Sequence, residues 1–95
     1  METMTMLRTL LINELDIEDR NKMVNIFFLI GDMENVTHRL LDYFNSVDSE
    51  YYGKGMLKYD GIELSVQVGD IPEVVRELVK LNVDIYGIYE LYKPE

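Results

Sequence analysis

The segment Met23–Ile30 constrains the fold most, because it is apolar on both sides of an extended chain. Successive residues of a strand point to opposite faces of a sheet. One face would carry Val24, Ile26, Phe28 and Ile30, and the other would carry Phe27 and Leu29. A strand with two apolar faces lies in the middle of a sheet, where neighbouring material covers it. The sequence therefore predicts a central strand here.

A helix is predicted directly after this strand, at residues 33–47. Gly31 ends the strand, and Asp32 is placed to accept hydrogen bonds from the free N–H groups at the helix start, where its negative charge suits the helix dipole. The apolar residues recur at spacings of three and four, which is typical of one helix face packed on a sheet. These residues are Val36, Leu40, Tyr43, Phe44 and Val47.

The clearest local signal is Tyr59-Asp60-Gly61-Ile62, in which Asp60-Gly61 favours a two-residue hairpin turn with positive φ angles. That turn predicts Tyr59 opposite Ile62, Lys58 opposite Glu63 and Leu57 opposite Leu64. From Ile62 to Val68, apolar and polar residues alternate. This alternation is typical of a strand with one buried face and one wetter face.

A second helix and a last strand complete the pattern. The run Asp70-Ile71-Pro72-Glu73 predicts a helix start with a capping carboxylate and an early proline. Asn82 is the predicted C-terminal cap. The β-rich residues 83–92 predict the last strand, which Pro94 would stop.

The order strand, helix, hairpin, helix, strand predicts an α+β domain of ferredoxin-like βαββαβ type. Its antiparallel four-stranded sheet would carry both helices on one face. We assign residues 23–95 to this domain and residues 1–22 to an N-terminal adjunct and linker. Leucines and methionines of the adjunct suit a helix, whereas Thr3, Thr5 and Thr9 alternate as in a strand. Both possibilities stay open.

Composition narrows the classes of partner. Eighteen acidic and nine basic residues give a net charge of −9, which repels phosphate backbones, so nucleic acid is not expected. The absence of cysteine excludes disulfides and thiolate metal sites and suits the reducing cytoplasm. No apolar run approaches the roughly 20 residues of a membrane-spanning helix, so no direct membrane insertion is expected. No cofactor is predicted.

Two groups of residues are candidates for binding. The predicted uncovered face of the sheet needs a lid, which could be residues 1–22, a second copy of the chain or a larger protein. Its interface candidates are Phe27, Leu29, Met56, Tyr86 and Tyr89. A small ligand could instead meet the backbone at the turn before the first helix. Those candidates are Gly31, Asp32, Met33, Glu34 and Asn35.

Catalytic and metal sites are not predicted. The only histidine, His38, has Glu34 and Asp42 four residues to either side on one helix face. This spacing could serve a metal or a small enzyme, but it is also typical of a solvated helix surface, which we favour. The glycines around Lys54 lack the spacing of a phosphate-binding loop.

Residues 70–86 and the overall layout carry a resemblance to known families. The helix-to-strand passage there, with its Leu78-Val79 and Val83-Asp84-Ile85-Tyr86, is similar to the end of bacterial ABC transporter ATP-binding subunits. Leu11 to Leu15 resembles the linker that leaves the ATPase core. Residues 23–92 also resemble ACT-like regulatory domains.

The resemblance implies a non-catalytic accessory or regulatory module that binds a protein partner or a small ligand. Because the chain has no phosphate-binding loop, signature sequence or Walker B strand, it would be the C-terminal accessory domain of such a subunit without its ATPase. One alternative is a free-standing ACT-like homodimer that senses an amino acid. The other is a small enzyme that uses His38 with Glu34 or Asp42.

Overall fold

A computed structural model describes residues 15–51 and 53–91 as an α+β structure. A four-stranded antiparallel sheet in the order β2-β3-β1-β4 carries two helices. The elements are β1 (Met23–Ile30), α1 (Met33–Phe44), β2 (Gly55–Lys58), β3 (Gly61–Gln67), a 3-10 turn (Val68–Asp70), α2 (Ile71–Lys80) and β4 (Ile85–Glu90). This arrangement is compatible with a ferredoxin-like fold. Predictions for residues 1–14, Tyr52 and residues 92–95 lie outside the described residues.

The predicted central position of β1 is confirmed. It pairs with β3 on one side and with β4 on the other. Its even-numbered residues lie in a single buried cluster with residues of β3 and of both helices, so both helices cover the same face of the sheet. This core contains Val24, Ile26, Phe28, Ile30, Met33, Val36, Leu40, Phe44, Ile62, Leu64, Val66, Val74 and Leu78.

The predicted register of the β2–β3 hairpin is wrong by two residues. The turn is Tyr59-Asp60, so that Lys58 lies opposite Gly61, Leu57 opposite Ile62 and Met56 opposite Glu63. Neither Tyr59 nor Asp60 has a positive φ, and Gly61 has none either. Glycine at the last position of a four-residue turn is instead favoured in type I turns. A shift of two residues leaves every side chain on its predicted face.

Gly61 is needed for space and not for its φ angle. A Cβ atom added there would collide with the backbone carbonyl oxygen of Phe28 and would lie 2.7 Å from Cζ of Phe27. The close approach of β3 to β1 therefore requires a glycine at position 61, directly after the hairpin turn.

Neither predicted carboxylate cap forms. Asp32 has a left-handed backbone (φ 56°), and its side chain makes no hydrogen bond to the N–H groups of α1. Its carboxylate accepts a hydrogen bond from the Asn35 side-chain amide at 2.8 Å instead. Asp70 also makes no side-chain cap, because the 3-10 turn leads directly into α2. At the other end of α2, Asn82 takes the positive φ of 62° that suits a C-terminal cap.

Helix α1 ends at Phe44 and not at Val47, and the Val47 side chain is 75% exposed. Ser46 follows the helix, and its hydroxyl accepts a hydrogen bond from the Asp48 N–H at 3.3 Å. Short polar side chains of this kind compete with helical hydrogen bonding. Strand β4 begins at Ile85, two residues later than predicted, because the backbone turns at Asn82.

No helix within residues 15–51 and 53–91 has both the length and the apolar character needed to cross a membrane.

Substitution of asparagine at two glycines separates a steric role from a conformational one. Asparagine tolerates a positive φ, which Gly53 has (76°) with no atom within 4 Å of an added Cβ. We expect Gly53→Asn to change the free energy of unfolding by less than about 0.5 kcal/mol. Gly61→Asn should lower the free energy of unfolding by about 1–3 kcal/mol, because the added side chain collides with β1. Chemical denaturation measures both, and equal costs would contradict the close-approach explanation.

Candidate interaction surface

The face of the sheet opposite the helices presents two rows of side chains that run across all four strands. Cross-strand partners share a face, so the register defines each row. The first row is Met56, Glu63, Phe27 and Tyr89. The second row is Lys58, Gly61, Leu29 and Gly87. We call these eight residues the open face, because neither described helix lies over it.

Two aromatic rings cover glycines on the open face. The Phe27 ring lies over Gly61, and the Tyr89 ring lies so close to Gly87 that a Cβ atom there would meet the tyrosine hydroxyl. An aromatic side chain over a strand glycine replaces packing that the glycine lacks. Phe27 and Leu29 are half-buried. Met56 and Tyr89 remain 57% and 52% exposed.

The open face is formally neutral within a strongly acidic chain. Its charged residues are Lys58 and Glu63, whose Nζ and Oε1 atoms lie 3.8 Å apart. This pair was predicted as a direct cross-strand pair, and the shifted register makes it a diagonal one. The face therefore combines exposed apolar side chains with one pair of opposite charges that offset each other.

The predicted interface residues do not all lie together. Phe27, Leu29, Met56 and Tyr89 share the open face. Tyr86 is the extra residue where the β1–β4 register shifts, and its Cε2 atom lies 2.6 Å from where a Cβ of Gly31 would be. Tyr86 therefore packs at the end of β4, beside the turn before α1. An interface role for these five residues stays a prediction.

The turn predicted to bind a small ligand is held together by its own hydrogen bonds. The Gly31 N–H donates to the Asp84 carbonyl at 2.9 Å, and the N–H groups of Asn35 and Val36 donate to the Asp32 carbonyl. Met33 is buried in the core, whereas Glu34 and Asn35 are exposed. Ligand binding at Gly31, Asp32, Met33, Glu34 and Asn35 stays a prediction.

His38, Glu34 and Asp42 lie along the exposed side of α1. Within residues 15–51 and 53–91, no group of three or more His, Asp or Glu side chains is arranged to hold a metal ion. The alternative function that uses His38 stays untested.

The sequence did not predict an acidic region between the two helices. Burial and the nearby negative charge of Glu77 raise the pKa of Tyr43. Hydrogen bonds, first of all from Lys80, hold the pKa of Glu77 below its usual value. A cavity of about 420 Å³ opens nearby, lined by Asp42, Tyr43, Ser46, Asp48, Ser49 and Glu50. The lining residues are close in sequence, at the end of α1 and in the loop that follows it, and the packing of α1 against α2 adds Glu77 beside Tyr43.

Tyr51 is the buried polar group of this region. Its side chain is 3% exposed, and its hydroxyl has no hydrogen-bond partner in the part of the chain that the structure describes. Burial, together with the carboxylates of Glu50 and Asp70, raises the pKa of Tyr51. The ring packs against Phe44 with centroids 5.9 Å apart, so apolar contacts hold it in place.

Comparisons with protein-family models, with curated proteins and with solved structures find no match to this chain.

Removing the Tyr51 hydroxyl tests its lack of a partner. Loss of an unsatisfied buried polar group relieves a desolvation cost, so Tyr51→Phe should leave the free energy of unfolding unchanged or raise it by about 1 kcal/mol at pH 7. Tyr43→Phe is the matched control and should change it by less than about 0.5 kcal/mol, because Tyr43 is only half-buried and its hydroxyl is less desolvated. A larger loss in Tyr51→Phe would show that the hydroxyl is bonded in solution.

The raised pKa of Tyr51 also sets the sign of a pH dependence. An unfolded tyrosine releases its proton near pH 10, whereas the folded Tyr51 retains it. Unfolding is therefore favoured as the pH rises above about 10. Between pH 9 and pH 11, thermal melts should show a smaller loss of stability in Tyr51→Phe than in the native chain.

Proposed function

We propose that this chain is a non-catalytic accessory module that binds a protein partner through the open face of its sheet. One observation carries the proposal: Met56, Phe27, Leu29 and Tyr89 lie together on a face that neither described helix covers. Exposed methionine and aromatic side chains are typical of the centres of protein interfaces.

The fold supports the proposal that the open face binds a partner. We infer that the domain is a ferredoxin-like βαββαβ sandwich, because its elements follow that order and its strands lie in the order β2-β3-β1-β4. In such a two-layer structure the helices cover one face of the sheet, and the other face is left to solvent or to a partner. Burying one large apolar side chain contributes about 1.5–3 kcal/mol, so a partner that covers this face gains substantially.

The chemistry of the face favours a protein over other macromolecules. Lys58 and Glu63 compensate each other, so the face itself does not attract a phosphate backbone. The net charge of −9 opposes nucleic acid at longer range. A flat apolar patch flanked by an ion pair fits another folded protein surface.

The resemblance of residues 70–86 to the end of bacterial ABC transporter ATP-binding subunits suggests which protein the partner is. We propose the ATP-binding subunit of a bacterial ABC transporter, to which this chain would be the C-terminal accessory domain. Those residues form α2 and lead into β4, so the resemblance falls on a helix followed by a strand. The module would contribute contacts and regulation, while the ATPase core would hydrolyse ATP.

The gene provides the first test of this partner. The reading frame upstream of the Met1 codon should encode a phosphate-binding loop and a signature sequence, either fused to this chain or in the adjacent gene. Absence of both would reject the ABC transporter assignment without affecting the open face as a binding surface.

Two glutamate substitutions test the surface itself. Met56→Glu on the open face and Val79→Glu on α2 each place a charge at an apolar side chain that is 57% or 62% exposed. Both should change the free energy of unfolding by less than about 0.5 kcal/mol. Titration calorimetry with the ATPase domain should show binding at least tenfold weaker for Met56→Glu and unchanged for Val79→Glu. Equal effects would reject the open face as the binding surface.

A further inference from the structure

A second cavity lies at the end of the sheet where β1 begins and β3 ends. It has a volume of about 270 Å³, and no residue of the open face lines it. A cavity below about 300 Å³ suits a ligand smaller than a typical drug molecule. The polar residues of its wall are Glu50, Tyr51, Lys54, Ser65, Gln67 and Asp70.

The Tyr51 hydroxyl is the feature of this wall that points to a ligand. The side chain is 3% exposed, and the hydroxyl lacks a hydrogen-bond partner among residues 15–51 and 53–91. Burial raises the pKa of this hydroxyl most, and the charges of Glu50 and Asp70 raise it further, so both carboxylates lie near it. A buried hydroxyl without a partner has lost the hydrogen bonds that it makes in water, and a polar ligand group restores them.

The backbone of this wall is held in place, while its carboxylates stay available. The Tyr51 N–H donates to Oγ of Ser49 at 3.1 Å, and the Lys54 N–H donates to the Tyr51 carbonyl at 2.9 Å. The Asp70 side chain makes no cap to α2. Neither Glu50 nor Asp70 forms an ion pair within the part of the chain that the structure describes.

We propose that this cavity binds a primary alkylammonium ion, whose ammonium group lies against Tyr51, Glu50 and Asp70. An ammonium group has three N–H donors, which match the tyrosine oxygen and the two carboxylates. The alkyl chain contacts Met23 and Val66, which are apolar residues of the same wall. Glu50 is exposed, so its side chain can change rotamer to admit the ligand.

Charge favours a cation over an anion at this cavity. The carboxylates of Glu50 and Asp70 outweigh the ammonium group of Lys54. The net charge of −9 also raises the concentration of cations near the chain. A metal ion fits less well, because the described residues offer no group of three His, Asp or Glu side chains to hold it. The proposal rests on this cavity alone and does not depend on the proposed function.

Propylammonium chloride is the probe for a test on the full chain. In an NMR titration, the amide signals of Tyr51, Lys54 and Asp70 should shift along a saturating curve with a millimolar dissociation constant. Tyr51→Phe, Asp70→Asn and Glu50→Gln should each weaken binding at least about fivefold, because each removes an acceptor or a charge that holds the ammonium group. Propanol and propionate, which are similar in size, should give no saturating shift.

Two variants control for a general attraction of cations to an acidic chain. Tyr43→Phe and Asp42→Asn remove a hydroxyl and a carboxylate from the neighbouring cavity beside Tyr43. Both should leave the dissociation constant unchanged. The amide signals of the core residues Ile26 and Leu64 show in each spectrum that the variant is folded.

Three results would overturn the proposal. Absence of a saturating shift at Tyr51 and Asp70 would show that the cavity does not bind a primary amine. Equal weakening by Asp42→Asn and Asp70→Asn would show that only the overall charge attracts the cation. Tighter binding of the zwitterion alanine than of propylammonium would show that Lys54 binds a carboxylate and that the ligand class is wrong.

Discussion

The position of β1 in the middle of the sheet is the constraint on which the other elements depend. Its even-numbered residues, from Val24 to Ile30, are all buried. A strand at the edge of the sheet would leave one flank of these side chains open to solvent. Strands β3 and β4 must therefore pair along its two edges. Both helices then pack on the even face, where the core forms. The odd face, with Phe27 and Leu29, remains as a consequence of the same arrangement.

The chain compensates partly for that exposed face with its own side chains. Gly61 and Gly87 flank Leu29, and the rings of Phe27 and Tyr89 lie over these glycines. Flat aromatic packing removes some apolar area from water without a third layer. It also leaves the surface smooth enough for another protein. Gly61 serves the hairpin as well, because only glycine permits the close approach of β3 to the Phe28 carbonyl.

Sequence periodicity predicted the bounds of β1, its central position and the faces of its side chains, because burial alternates with strict period two. It failed where tertiary contact overrides local preference. The Asp60-Gly61 signal gave the wrong turn because the space beside β1, and not the φ angle, determines where glycine must lie. The open-face residues were still placed together, since a register error of two preserves faces and an error of one would not. The burial of Tyr51 against Phe44 arises from tertiary packing that no local pattern encodes.

The distribution of charge bears on which surface can bind. Carboxylates of Asp42, Asp48 and Glu50 surround the cavity beside Tyr43 on the helix layer. The open face carries only its compensated pair. Between two copies of a chain with net charge −9, repulsion at physiological salt extends over a screening length of about 8 Å. That repulsion opposes pairing of identical copies, and it is weaker for a partner of low or positive charge. The proposed binding through the open face is therefore better suited to a different protein than to a second copy of this chain.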